Sequence, residues 1–187
     1  MSAILEIPEV RQRVSPLSVQ DYHRLGEYNE NGRRTELIRG IIIEKTSKSP
    51  LHRIVASRLY KIFLAALPEG FSVWKEEPLT FVDSEPEPDI TVTLGARRDF
   101  ACAHPSTAEL VVEIAVSSAA LDRVNASLYA EAAIKEYWIV LGLERQIEVY
   151  RQPENGQYQQ KRLFGPNEIL ESSSLPGIRI RVSDLFI

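Results

Sequence analysis

The chain has 187 residues, of which 44% are hydrophobic and 26% charged, with a formal net charge of −4. That is enough apolar material for one sizeable core and an ordinary charge content, which excludes wholesale disorder. An isoelectric point of about 5.5 excludes the strongly basic surface of a tight, non-specific DNA binder.

A local basic patch is still allowed, because Arg33, Arg34, Arg39, Lys45, Lys48 and Arg53 crowd into one short region. The same cluster reads equally well as a solvated face. Cys102 is the only cysteine, so no intramolecular disulfide can form, which suits a reducing cytoplasm. No apolar run approaches the ~20 residues that cross a bilayer. The first residues lack a basic stretch followed by an apolar one, so neither a membrane partner nor a secretory leader is expected.

Residues 1–15 read as a loose arm, and Ser18 to Gly26 as a short helix. Leu37 to Glu44 reads as one strand with Gly40 as a bulge. Ser49 and Pro50 then give an N-cap followed by a first-turn proline. Leu51, Ile54, Val55, Leu59, Ile62, Phe63 and Ala66 recur at helical spacing until Pro68 and Gly70 stop the helix. Phe71 to Trp74, Leu79 to Val82 and Asp89 to Leu94 are short strand candidates. Leu110 to Val116 is apolar on both faces except for one carboxylate, the pattern of a strand covered on both sides. A helix over Leu121 to Ala133 and a strand over Glu136 to Leu141 complete a strand–helix–strand crossover. Gln146 to Tyr150 and Tyr158 to Leu163 form a hairpin turning at Pro153 to Gly156, and Gly177 to Val182 adds a last strand. The expected fold is α/β, a mixed sheet flanked by helices, in a single domain 1–187. Its core spans 16–150 and its C-terminal β extension 151–187.

Two carboxylates carry the chemistry. Asp89 follows Pro88, and proline does not serve inside a central strand, so Asp89 sits at a strand mouth. Glu113 lies in the middle of the most apolar strand, where an ionised group is costly unless it is paired or binds a metal. On adjacent strands the two can share one Mg²⁺, which prefers oxygen ligands and keeps several waters. Alternatively, Glu113 pairs with a buried Arg or Lys. Glu36 is a third acid, or simply a surface residue at a strand edge. His52, in the first helical turn, either satisfies a local polar contact or faces the site and meets a phosphate. Asp122, Asn125 and Tyr129 share one helix face by spacing. Asn125 can hydrogen-bond a water or a phosphate but carries no charge. Tyr137 and Trp138 read as core rather than as a base-stacking platform.

Several stretches together resemble the Uma2 (DUF820) family of the PD-(D/E)XK nuclease superfamily. They are Arg34-Thr-Glu-Leu-Ile-Arg-Gly-Ile-Ile, Ser49-Pro-Leu-His, Glu87-Pro-Asp-Ile, Glu109-Leu-Val-Val-Glu-Ile, Asp122-Arg with Ser127-Leu-Tyr-Ala, and Lys135-Glu-Tyr-Trp-Ile-Val. Each is weak alone, but their order and spacing are specific, and they span about Tyr22 to Tyr150. The resemblance implies a restriction-endonuclease-like fold and a Mg²⁺- or Mn²⁺-dependent endonuclease acting on DNA. Asp89 and Glu113 would be the metal ligands, with the backbone carbonyl of Ile114 as a third. Glu36 would be an accessory acid, and His52 would sit near the site. Cutting both strands needs two sites, which allows a homodimer by analogy with the fold.

One departure stands out. The superfamily motif places Lys two residues after the second acid, where this chain has Ala115. The family's alternative lysine, on the following helix, is here Asn125. Losing such a donor costs catalysis on the order of 10²–10³. Arg123 points about 200° around the helix from Asn125. Lys45 and Lys48 are the remaining cations that could serve, and the sequence does not choose between them. The second functional reading is therefore a catalytically inactive module of the same fold that binds DNA or protein.

Overall fold

The structure is a computed structural model and describes residues 8–11, 13–26, 34–117 and 119–186. Residues 1–7 and Gln12 of the expected arm, and Arg33 of the basic cluster, lie outside them. The chain divides into two units, Met1–Thr46 with Thr80–Pro86, and Ser47–Leu79 with Glu87–Ile187.

The first unit holds α1 (Pro8–Arg11), α2 (Val19–Gly26), β1 (Thr35–Ile38) and β2 (Ile41–Glu44). The Ser18 hydroxyl accepts from the Asp21 amide at 3.1 Å and so caps α2. The single strand expected over Leu37 to Glu44 is instead an antiparallel hairpin closed by the pair Ile38↔Ile41. Gly40 is not a bulge but the second residue of a two-residue turn, with φ of 52° at Arg39 and 72° at Gly40. Positive φ at both central residues is what a hairpin turn matching the strand twist requires. A Cβ on Gly40 would also collide with Pro16. The strand expected over Leu79 to Val82 does not form. The Phe81 amide bonds the Ser84 carbonyl at 2.8 Å, which turns the chain there, and Glu85 makes an isolated bridge to Leu37 instead. His23, which no sequence pattern paired, meets the buried Glu85 at 2.7 Å.

The second unit contains α3 (Pro50–Ala66), β3 (Phe71–Trp74), β4 (Ile90–Leu94), β5 (Leu110–Ala115), α4 (Ala120–Glu131), β6 (Glu136–Leu141), β7 (Gln146–Glu154), β8 (Gln157–Phe164), β9 (Ile169–Glu171) and β10 (Arg179–Arg181). The strands β3 to β8 make one six-stranded sheet in sequence order. Every neighbouring pair is antiparallel except β5 and β6, which are parallel and joined through α4 as the crossover predicts. The strands β9 and β10 pair separately.

The hairpin of β7 and β8 turns at Asn155–Gly156, with φ of 50° and 74°, a tighter turn than the four residues expected. Pro153 lies inside β7, facing Tyr158 across β8. The pairing of β7 with β6 has already ended at Arg151, so the missing Pro153 amide interrupts no ladder on that side.

The sheet is covered on both faces. On one, Val55, Leu59 and Phe63 of α3 join Val92, Val112, Ile114 and Trp138 in the main cluster. Burying each such large apolar side chain stabilises the fold by roughly 1.5–3 kcal/mol. On the other, Tyr129 of α4 packs at a tilt against Tyr137, which in turn meets Tyr150 and Tyr158, at ring separations of 4.7 to 6.4 Å. Tyr137 and Trp138 are both fully buried, as core residues should be. Burial pushes the Tyr137 and Tyr158 phenols upward.

Beside these rings, buried Glu148 of β7 accepts from Arg123 of α4 at 2.7 and 3.1 Å on Oε1 and at 3.2 Å on Oε2. It also accepts one from Tyr150 at 2.7 Å, and Lys161 lies at 2.9 Å. Burial alone would raise this carboxyl, but the bonds from Arg123, Tyr150 and Lys161 outweigh it and hold the group at about 2, against an ordinary 4.5. A depressed carboxyl adds stability that is present above the unfolded-state value and is lost as pH falls through the folded one. The native protein should therefore lose its advantage over Glu148→Gln between about pH 4.5 and pH 2. Parallel melting curves at several pH values check this, and a constant gap across that window would rule it out.

Candidate active site

Pro88 sets where β4 begins, and β4 sets the site. The antiparallel ladder between β4 and β5 runs through Val92↔Leu110, Thr91↔Val111 and Ile90↔Val112, and stops there. One step beyond it, the Asp89 amide donates to Glu113 Oε2 at 3.3 Å. The Ile114 amide donates to Asp89 Oδ2 at 2.8 Å. The Asp89 carboxylate thus takes the place of the strand carbonyl that a longer β4 would have offered. The next carbonyl along β5, that of Ala115, bonds Gly142 on the β6 side at 2.7 Å. Amides and carbonyls alternate edges along a strand, so the Ile114 carbonyl faces the β4 edge together with its amide.

Two further elements complete the cluster. The Ser49 hydroxyl, at the N-cap of α3, accepts from the His52 amide at 3.2 Å. That cap fixes Lys48 just before the helix and His52 in its first turn. Lys48 Nζ donates to Asp89 Oδ1 at 2.8 Å and lies 3.1 Å from Glu76 Oε1. His52 Nε2 lies 2.8 Å from Asp89 Oδ2. An ionised carboxylate only accepts, so this nitrogen carries the hydrogen. From α4, the Tyr129 hydroxyl donates to Glu113 Oε1 at 2.9 Å. Glu76 follows β3 in the left-handed region, with φ of 57°. Its amide is shared between the carbonyls of Pro88 and Asp89 at 3.2 and 3.3 Å.

Asp89 is 6% exposed. Burial would raise its carboxyl, but the hydrogen bond and charge of His52, followed by Lys48, outweigh burial and hold it below the usual carboxylate range. It is therefore ionised wherever an ordinary carboxylate is. Asn125 is buried on α4 one turn before Tyr129, and among the described residues its Oδ1 has no hydrogen-bond partner. The same holds for Nδ1 of His52.

Of the residues singled out in the sequence, Asp89, Glu113, Ile114 and His52 meet directly, and Asn125 shares the buried face of α4 with Tyr129. His52 turns to Asp89. Glu36 is buried in β1 of the first unit, where Lys45 Nζ lies 3.4 Å from it. Of the two lysines left open by the sequence, Lys48 meets Asp89 within the second unit, and Lys45 meets Glu36 within the first. Glu76 was not anticipated. Its only trace in the sequence is the charged run Lys75-Glu76-Glu77 after a strand.

The candidate donors are all oxygen: two carboxylates and one backbone carbonyl. Among the described residues no group of three or more His, Cys, Asp or Glu is arranged to hold a metal ion. The oxygen set fits a hard divalent cation that keeps much of its water, as Mg²⁺ does.

The family model for Uma2, described as "Putative restriction endonuclease", matches residues 19–183. Among solved structures, a crystal structure of "a putative nuclease belonging to DUF820" from Anabaena variabilis superposes with a TM-score of 0.77 at 21% identity, covering 91% of this chain and 98% of that one. No curated protein matches. No described helix is long and apolar enough to cross a membrane. Since the matched segment takes in Asp89, Glu113 and the whole six-stranded sheet, the chain belongs to the Uma2 family and has its restriction-endonuclease-like fold.

Proposed function

We propose that this protein is a divalent-metal-dependent endonuclease that hydrolyses DNA phosphodiester bonds. The observation that carries the reading is the pair of carboxylates Asp89 and Glu113 at the end of the β4–β5 ladder, joined through the Asp89 amide at 3.3 Å. Asp89, Glu113 and the Ile114 carbonyl would hold the cation. When bound, the cation supplies charge neutralisation at the phosphate and activation of water. The protein's own groups keep the ligands in place. His52 and the Ile114 amide fix Asp89 Oδ2, and Tyr129 fixes Glu113 Oε1. In the reaction, the oxygen of water bonds to phosphorus, the phosphorus–ester oxygen bond breaks, and a proton ends on the leaving oxygen.

A basic groove supports DNA as the substrate. Arg53, Arg58 and Lys61 of α3, with Lys75 after β3, line it together with Pro50, Ile54 and Ser57. Among the described residues no carboxylate lines it, in a chain whose net charge is −4. Backbone phosphates favour such a track, and each contact adds to the salt dependence of binding. The double substitution Arg53→Glu with Lys61→Glu should weaken duplex binding and flatten the plot of log affinity against log salt by about two units. Fluorescence anisotropy across a salt series measures this, and an unchanged slope would remove the groove from the interface.

The second reading, a non-catalytic DNA- or protein-binding module, is favoured by one observation: the neutral Asn125 on α4. Cleavage of plasmid and single-stranded DNA with Mg²⁺ or Mn²⁺ separates the two. Metal-dependent cutting supports the nuclease. Binding without cutting in any divalent metal transfers the proposal to the module.

A further inference from the structure

We propose that Lys48 is the cationic catalytic residue of this site, facing the scissile phosphate, and that Glu76 is the positioning residue that holds it there. The inference rests on the nuclease reading above. Three carboxylates, Asp89, Glu113 and Glu76, converge where an anionic phosphate would have to enter. Asn125, buried on α4, brings no charge to offset them.

Lys48 does. Its ammonium group spans Asp89 at 2.8 Å and Glu76 at 3.1 Å. An ammonium has three hydrogens; one is donated to Asp89 and Glu76 lies at ion-pair distance, which leaves donor capacity for a substrate oxygen. The side chain is 19% exposed, which suits a group that is held in place and still reached from solvent.

The flexible stem of a lysine normally leaves its charge mobile. Here three features fix it. The Ser49 cap pins the backbone next to Lys48, Asp89 holds the ammonium from the strand side, and Glu76 holds it from the other. Glu76 is itself locked, since its left-handed backbone is tied through its amide to the carbonyls of Pro88 and Asp89. A non-glycine residue in that region carries strain, and such residues concentrate at sites where geometry is imposed. A plain counter-ion for Asp89 would need none of this second support.

The test compares native protein with Lys48→Ala, Glu76→Gln and Lys48→Ala/Asn125→Lys, all checked for folding by melting curves. At saturating Mn²⁺, Lys48→Ala should lower the turnover number on a fluorescein-labelled duplex by on the order of 10²–10³. Glu76→Gln should lower it by about tenfold, with KM little changed. The double variant, which returns a cation from α4, should regain at least about tenfold over Lys48→Ala, a recovery that repair of a merely structural ion pair would not give. Turnover by Lys48→Ala within about threefold of native at saturating metal would overturn the proposal.

If native protein cuts nothing in any divalent metal, the nuclease reading fails on its own account. Lys48 is then judged by Ca²⁺-supported binding of the same duplex. A loss of about tenfold in Lys48→Ala, restored by Asn125→Lys, would keep Lys48 as the group that faces the phosphate. Unchanged binding would remove it.

Discussion

Asp89→Ala is expected to lower metal-dependent DNA cleavage by on the order of 10³ or more, since it removes a metal ligand and the group that organises the rest. Three neighbours converge on this one side chain: Lys48, His52 and the Ile114 amide, each at 2.8 Å, while Glu113 is held by the Asp89 backbone amide. Removing it leaves the His52 and Ile114 donors buried without their acceptor, at a cost of roughly 1–3 kcal/mol for each group left unmet. Asp89→Asn keeps the shape and one acceptor, so it separates lost chemistry from lost folding. Ligand binding to the native state raises stability by mass action. Millimolar Mg²⁺ or Mn²⁺ should therefore raise the Tm of native protein and leave that of Asp89→Asn nearly unmoved. Equal shifts in the two proteins would show that Asp89 is no ligand, and cleavage retained by both variants would sink the proposed site.

The second large effect lies away from the chemistry. Glu136→Ala should destabilise the fold by roughly 3–5 kcal/mol, a large share of a typical total of about 5–15 kcal/mol. Glu136, at the start of β6, is fully buried. Its Oε1 accepts from Arg151 at 2.7 Å, and its Oε2 accepts from the Ser172 and Ser174 hydroxyls at 2.5 and 3.1 Å and from the amides of Ser173 and Ser174 at 3.1 and 3.3 Å. One carboxylate thus fastens the segment between β9 and β10 to the central sheet. Alanine leaves the Arg151 charge, only 23% exposed, with the Glu171 carbonyl but without its carboxylate, and it leaves the serine donors without their acceptor. Urea unfolding with an unchanged slope would measure the loss, and a change below about 1 kcal/mol would show that solvent replaces the carboxylate without difficulty.

The elements whose residues answer to one local rule could be read in advance. β5 declared itself because a buried strand is apolar on both faces, and Glu113 stood out against it. α3 followed from Ser49, Pro50 and the spacing of its apolar residues. What escaped depended on backbone conformation or on distant partners. The run from Leu37 to Glu44 is apolar enough to pass for one strand, and only Gly40 marks the turn that splits it. Leu79 to Val82 has strand-like residues but no long partner strand, and it turns back at Ser84.

The carboxylate pair was legible because Pro88 fixes one member and burial exposes the other. The contact of Lys48 with Asp89 could not be read in advance, because the reach of a lysine is set by tertiary structure. Glu76 gave no usable signal: its place depends on a left-handed backbone and on a contact with Lys48, 28 positions earlier, and no residue pattern encodes either.

The amide of Ile114 points to a practical use of this architecture. It ends the β5 edge and donates to the very oxygen that His52 also holds. Its proton is thus a spectroscopic probe already built into the sheet. In a ¹H–¹⁵N spectrum its resonance should respond when Asp89 is protonated or when a cation draws on the carboxylate. The same signal would report hydrogen exchange at the open end of β4. Metal occupancy could then be followed in native protein without DNA, turnover or an added label.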